Sequence, residues 1–233
     1  WLGVGMCLLF ALWFASGIVM MYVEYPELTE EERIENLPTL ALDEILLTPF
    51  QASKAIRAES AFPSVKLTSI LSRPAYMFEV INRTPYFVFA DTGEALSGIN
   101  EESAVTAASL SGFSDGDSSP SYEKMVELDQ WTLSAELDQF RPLHKINLND
   151  AAGTELYISD KSGQVVRDTH RTERFWNWLG STIHWIYPVQ LRRNASLWNQ
   201  VIIYVSMLGI FSVVTGGIIG LMRIRIKSPY QGK

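Results

Sequence analysis

The 233-residue sequence contains one cysteine, three histidines and two long stretches without any charge. Each scarcity excludes something. The single cysteine, Cys7, removes a disulfide framework and a cysteine-based zinc site. Trp1 to Val23 holds no Asp, Glu, Lys or Arg, and neither does Leu197 to Met222. Apolar runs beyond about 18 residues read as transmembrane helices, which excludes a soluble cytoplasmic enzyme. A hydrophobic content of 47% excludes a disordered chain. There is no Walker-type loop, no GxGxxG, no Ser-His-Asp order and no His–carboxylate cluster with metal-ligand spacing.

What is present is strongly partitioned. All 26 acids and 15 of the 19 bases lie between Glu24 and Ser196, so that part carries 15 − 26 = −11. Such a charge repels phosphate backbones, and no nucleic-acid partner is expected. The remaining four bases, Arg223, Arg225, Lys227 and Lys233, follow the second apolar run with no acid among them. At about 1.5 Å per residue the two runs reach roughly 35–39 Å, enough to cross a hydrocarbon core of ~30 Å. A signal peptide is the alternative for the first run. Its apolar stretch is too long for that, and no cleavage site precedes Glu24-Tyr25-Pro26-Glu27. The positive-inside rule places the basic tail, and with it both termini, in the cytoplasm. Residues 25–196 then lie outside, and the absence of a disulfide pattern favours the periplasmic side of a bacterial inner membrane. The sequons at Asn82 and Asn194 would there be unused, and Arg192 and Arg193 are suited to lipid phosphates. The chain opens on Trp and stops in a basic tail, so it is expected to be part of a longer one.

Eight segments follow from composition and periodicity. Residues 1–24 form a first membrane helix, and 25–47 a charged exit with a solvated helix at Thr29-Glu-Glu-Glu-Arg-Ile-Glu. Residues 48–110 begin with a helix from Phe50 to Ala61, capped by Thr48 with Pro49 at its first position. Strands follow at Val65–Leu71, Tyr76–Ile81 and Tyr86–Ala90, with a turn at Asn82-Arg-Thr-Pro85 and a helix at Glu101–Leu110. Residues 111–121 are a Gly/Ser/Asp linker, where Asp115-Gly-Asp117 is too short for an EF-hand. Residues 122–171 carry a helical or irregular piece after Trp131-Thr, strands at Leu143–Leu148 and Glu155–Ser159, and Gln164-Val-Val. Tyr86–Leu96 and Leu156–Val166 both run strand, Asp, glycine turn, strand, which suggests a degenerate duplication; two ordinary hairpins are the plainer alternative. Residues 172–196 form an interfacial aromatic helix, 197–222 the second membrane helix and 223–233 the tail.

The run Thr48-Pro-Phe-Gln-Ala, Phe62-Pro-Ser-Val, Arg73-Pro-Ala-Tyr, Asp91-Thr-Gly-Glu and Gly98-Ile resembles a PepSY domain. The ending Arg174-Phe-Trp-Asn-Trp-Leu-Gly-Ser-Thr-Ile-His184-Trp-Ile-Tyr-Pro188, before a membrane span, resembles PepSY-associated transmembrane proteins. The motifs are loose but their order is specific. The resemblance implies an α+β fold: two transmembrane helices flanking a periplasmic domain of antiparallel strands with packed helices. Members usually begin with a His-Arg-Trp-Leu-Gly-like stretch, of which Trp1-Leu2-Gly3 matches only the end, and continue into third and fourth helices. Some relatives are haem-containing reductases of ferric siderophores. Others have no established activity, and soluble PepSY modules are linked to peptidase inhibition or propeptide-like roles.

The histidines are His144, His170 and His184, none inside an apolar run. His144 stands in a strand-like alternation beside Lys145 and is expected on the surface. His170 belongs to a mixed-charge connector, solvated or in contact with headgroups. His184 sits among Trp176, Trp178, Trp185 and Tyr187. It is either an interfacial histidine bonded to a carbonyl or a headgroup, or an axial ligand of haem b. In the second case Gly180, one helical turn earlier, would give the ring clearance, and the other ligand would come from a helix outside this sequence. Ala11 with Ala15, and Ser212 with Gly216 and Gly220, have small-residue spacing for helix packing. Thr215 has the polarity to bond across helices. Besides the lipid bilayer, the expected partners are further transmembrane helices, from the same gene or other subunits. The resemblance implies electron transfer to ferric chelates; the other reading is a non-catalytic anchored binding or accessory subunit.

Overall fold

The computed structural model describes residues 1–56, 62–81, 83–114 and 118–224. Asn82, Asp115-Gly-Asp117, the far end of the expected 50–61 helix and the basic residues after Ile224 lie outside the described residues. Along the chain come α1 (Leu2–Met20), α2 (Glu30–Glu35), α3 (Pro49–Ser53), β1 (Val65–Ile70), β2 (Arg73–Val80) and β3 (Arg83–Phe89). They are followed by α4 (Glu101–Leu110), β4 (Ser121–Val126), β5 (Leu143–Asn147), β6 (Glu155–Ser159) and β7 (Val165–Thr169). The chain continues through α5 (Arg171–Asn177) and α6 (Val189–Arg192) to α7 (Ala195–Arg223). Contacts divide it into two units: Pro26–Phe175, and Trp1–Tyr25 together with Trp176–Lys233.

The Pro26–Phe175 unit is α+β, with two antiparallel sheets ordered β1-β2-β3 and β4-β5-β6-β7. Its helices begin where side chains can cap them. Thr29 and Glu32 form a reciprocal capping box at α2, and Thr48 with Gln51 does the same at α3, where Pro49 needs no partner for its missing N–H. At α4 the Asn100 side chain accepts from the Ser103 amide at 2.8 Å.

α3 packs on one face of the first sheet, over Tyr76, Phe78 and Val88. The opposite face buries Ile70, Ala75, Phe87 and Phe89. α4 covers the second sheet through Ala104, Ala107 and Ala108, set against Ile146, Leu148, Leu156 and Ile158. The two Asp/Gly turns are closed by matching bonds. Gly93 N–H donates to Phe89 O and Gly163 N–H to Ser159 O, both at 2.8 Å. Their φ angles of 74° and 66° are the left-handed values that favour glycine.

Three details depart from the sequence expectations. β4 was not foreseen, because it is a mostly exposed edge strand without an apolar alternation. Pro85 lies inside β3 rather than in a turn, and β3 is at the edge of its sheet, where a missing N–H is tolerated. α3 ends at Ser53.

In the other unit, α1 and α7 are long and apolar enough to cross a membrane. At about 1.5 Å per residue they measure roughly 28 and 43 Å. Leu8, Phe14, Phe211 and Met222 are among many large apolar side chains that they expose. The two helices approach at Gly209, where a Cβ would stand 3.4 Å from Phe10 Cζ and 3.6 Å from Met6 Cε. The residues expected to pack against a helix of this chain or of another subunit do not form this contact. Ala11 and Ala15 are exposed, Ser212 is half-buried, and a Cβ on Gly216 or Gly220 would meet nothing within 4 Å among the described residues. Thr215 does not bond across helices; its hydroxyl donates to Phe211 O at 2.8 Å in its own helix, a route open to any helical threonine.

The aromatic stretch expected as one helix is broken. α5 runs into a wider π-helical turn at Trp178–Thr182, Ile186 adopts a φ of 51°, and Pro188 precedes the short α6. Proline disfavours a helical conformation at the residue before it, so the chain bends there.

Candidate functional site

α1 builds one side of the site around His184. Ser16 and Gly17 follow Trp13 by three and four residues and so lie on its side of the helix. The Trp13 indole stacks on the His184 imidazole, with centroids 4.5 Å apart and an interplanar angle of 15°. Gly17 sits against the same ring, and a Cβ there would lie only 3.0 Å from His184 Cε1. Trp13 O is 3.0 Å from His184 Nδ1, so Nδ1 carries the proton and donates it. Ser16 donates its own hydroxyl proton to the same carbonyl at 2.8 Å and turns a lone pair toward Nδ1 at 3.3 Å. Trp13 Nε1 in turn donates to His184 O at 3.2 Å.

These bonds leave Nε2 as the basic nitrogen, and it makes no hydrogen bond among the described residues. His184 lines a pocket of about 890 Å³ whose other walls include Leu9, Phe10, Trp198, Val205 and Ile210. An imidazole that donates Nδ1–H to a carbonyl and keeps Nε2 free of hydrogen bonds has the electronic form of a metal-ligating histidine. Tyr187 and Trp198 also line this pocket, and the Arg192 guanidinium lies 5.3 and 5.0 Å from their ring centroids. Arg192 Nε is buried without a hydrogen-bond partner.

Gly180 has another neighbour. A Cβ there would meet Val19 Cγ1 at 3.1 Å and Met20 Cγ at 3.3 Å. It lets α1 pass close to the π-helical turn, and the glycine that gives His184 room is Gly17. Sequence reasoning missed Trp13, Ser16 and Gly17; the available signal was a tryptophan followed at helical spacing by two small residues.

A haem normally takes two axial ligands. His184 is the only histidine among the described residues of this unit. Met6 lines the pocket, but eleven helical residues separate it from Gly17, about 16 Å. Two ligands of one metal stand only about 4 Å apart, at roughly 2 Å per bond, so Met6 is not the counterpart of His184. The residues present fit one axial ligand, an apolar wall and a cation beside it.

The other histidines belong to the Pro26–Phe175 unit. His144 is fully buried, contrary to the surface position expected from its strand. β5 is an inner strand whose consecutive residues Leu143 to Ile146 are all buried, so alternation does not expose one face of it. His144 Nε2 lies 3.2 Å from Ile99 O and 3.1 Å from Asp160 Oδ1. Its neighbour Lys145 is also buried. It meets Glu155 at 3.0 Å, Glu123 at 3.2 Å and Asp129 at 3.5 Å. Burial works against its charge, but Glu155, Asp129 and Glu123 prevail and raise its pKa. Burial, reinforced by Asp129 and Glu155, pushes the Tyr157 hydroxyl far up, and that hydroxyl donates to Asp129 at 3.0 Å. His170 is exposed, with Nδ1 3.0 Å from Thr154 Oγ1 and Nε2 3.7 Å from Asp168. No group of three or more potential metal-binding side chains occurs among the described residues.

Compared with known proteins, the chain matches no family model, no curated protein and no solved structure.

Proposed function

We propose that this chain is a PepSY-like protein of a bacterial inner membrane that holds haem b through His184 and passes electrons to ferric chelates on the periplasmic side. The observation that carries this reading is the His184 site: Nδ1 is engaged by Trp13 O, Nε2 has no hydrogen-bond partner among the described residues, and the residue lines a largely apolar pocket. Haem, when bound, supplies a one-electron redox couple. The carbonyl of Trp13 holds the imidazole in the ligating tautomer and raises the basicity of Nε2. The Trp13 ring and the gap left by Gly17 fix the plane of the imidazole. Leu9, Phe10, Val205 and Ile210 exclude water, and Arg192 holds a cation against Tyr187 and Trp198, two residues of the pocket lining. A second ligand would be supplied by another transmembrane helix, of this protein or of a partner subunit. The acidic central part, at −11, is the side on which an iron chelate docks.

Absorption spectroscopy of the full-length protein, expressed with haem supplied, tests this reading. A Soret band is expected in the wild type, lost in His184→Ala and weakened in Gly17→Val, whose side chain displaces the imidazole. A wild-type protein without a Soret band ends the proposal. A second reading, a non-catalytic anchored subunit, is favoured by the uncovered face at Gly216, Gly217 and Gly220. Purification in complex with other membrane subunits and without haem would select it.

A further inference from the structure

Arg167 lies in β7, in register with Tyr157 of β6, and its side chain is 1% exposed. Its Nη2 donates to Glu136 Oε1 at 2.9 Å, with Ser134 Oγ at 3.4 Å. Nε and Nη1 are buried without any hydrogen-bond partner among the described residues. Three N–H bonds of a permanent cation are therefore unused, a costly arrangement in a protein interior. The contrast with Lys145 in the same unit is sharp, since three carboxylates surround that buried cation. Glu136, the one acid on Arg167, is itself 55% exposed.

Arg167 lines a cavity of about 450 Å³. Opposing walls come from the first sheet, with Lys66, Met77 and Glu79, and from α2, with Arg33. The other two cations there are already matched. Glu30 takes both Nε and Nη2 of Arg33, at 2.9 and 2.6 Å, and Glu79 meets Lys66 at 2.8 Å. The cavity therefore has three cations and three carboxylates, and Arg167 is the one cation whose buried donors lack a partner among the described residues. These charges already cancel, so the case for an acceptor rests on the unpartnered donors of Arg167, and a single negative charge meets less repulsion from the three carboxylates than a phosphate dianion does. The volume exceeds a lone inorganic anion, and Leu137, Phe140 and Val166 give the cavity an apolar wall.

We propose that the cavity over Arg167 binds a monocarboxylate carried on an apolar body, with Arg167 as its anchor. A peptide C-terminus and a small free organic acid share this chemistry. The site lies wholly within the Pro26–Phe175 unit and does not rest on the haem reading.

Isothermal titration of the full chain in lipid nanodiscs tests it with two probe pairs: the tripeptide Ala-Leu-Phe and its C-terminal amide, and 3-phenylpropionate and its amide. At least one acid is expected to bind, with its amide at least tenfold weaker. Binding of the tripeptide alone assigns a peptide terminus, and binding of 3-phenylpropionate assigns a small acid. Arg167→Met is expected to lower acid affinity at least tenfold. Because a buried substitution can disturb folding, Lys66→Glu, at a half-exposed position, provides an independent check. It adds a negative charge to the cavity and is expected to weaken the acid about tenfold while sparing the amide. The proposal is overturned if neither acid binds, if amides bind as tightly as acids, or if Lys66→Glu leaves acid affinity unchanged.

Discussion

Asp168 shows how burial sets the behaviour of a single side chain. Removal from water raises its pKa, the repulsion of Glu32 adds to this, and the charges of His170 and Arg167 only partly oppose it. The charged form is thus disfavoured in the fold. Below the unfolded pKa of about 3.9 the group is neutral in both states and costs nothing. The cost grows as pH rises above that value and is complete once pH passes the raised folded pKa. Asp168→Asn is expected to raise the melting temperature at pH 7 and leave it unchanged near pH 3, as measured by circular dichroism. Equal shifts at both pH values would refute this. Little at this scale was legible in the sequence. His144 and Lys145 look like surface residues in an alternating strand, but the segments that bury them are distant in sequence. Gly17 was likewise invisible as the partner of His184, because 167 positions separate them and only the folded backbone brings them together.

Elements were legible where their own residues carry the instruction. α2, α3 and α4 start at Thr29, Thr48 and Asn100, each with a short polar side chain that satisfies a helix amide. Asn100→Ala removes the bond to Ser103 and is expected to cost about 1 kcal/mol. Thermal unfolding should register a drop of a few degrees, and Asn100→Asp should restore most of it. β4 was not legible, since an edge strand borrows its hydrogen bonds from β5 and needs little apolar patterning. The place where α1 meets α7 was not legible for a related reason. Small residues mark where close packing is allowed, but whether a neighbour arrives there is decided elsewhere, and between α1 and α7 it arrives at Gly209.

At the scale of the molecule, three buried clusters of the Pro26–Phe175 unit are each formed by its own residues. A segment of residues 26–175 is therefore expected to be soluble and folded when expressed alone, with dispersed amide resonances in an NMR spectrum; an aggregated or unfolded product would refute this. The sequence by itself determined the two apolar helices, the acidic segment between them, most strands and the helix starts. These features depend on composition and on neighbours a few residues away. Only the tertiary structure decided that Trp13, Ser16 and Gly17 meet His184, that His144 is buried, and that Arg167 faces a cavity with donors unused. Each depends on which distant segments exclude water from a given side chain, and no local pattern records that.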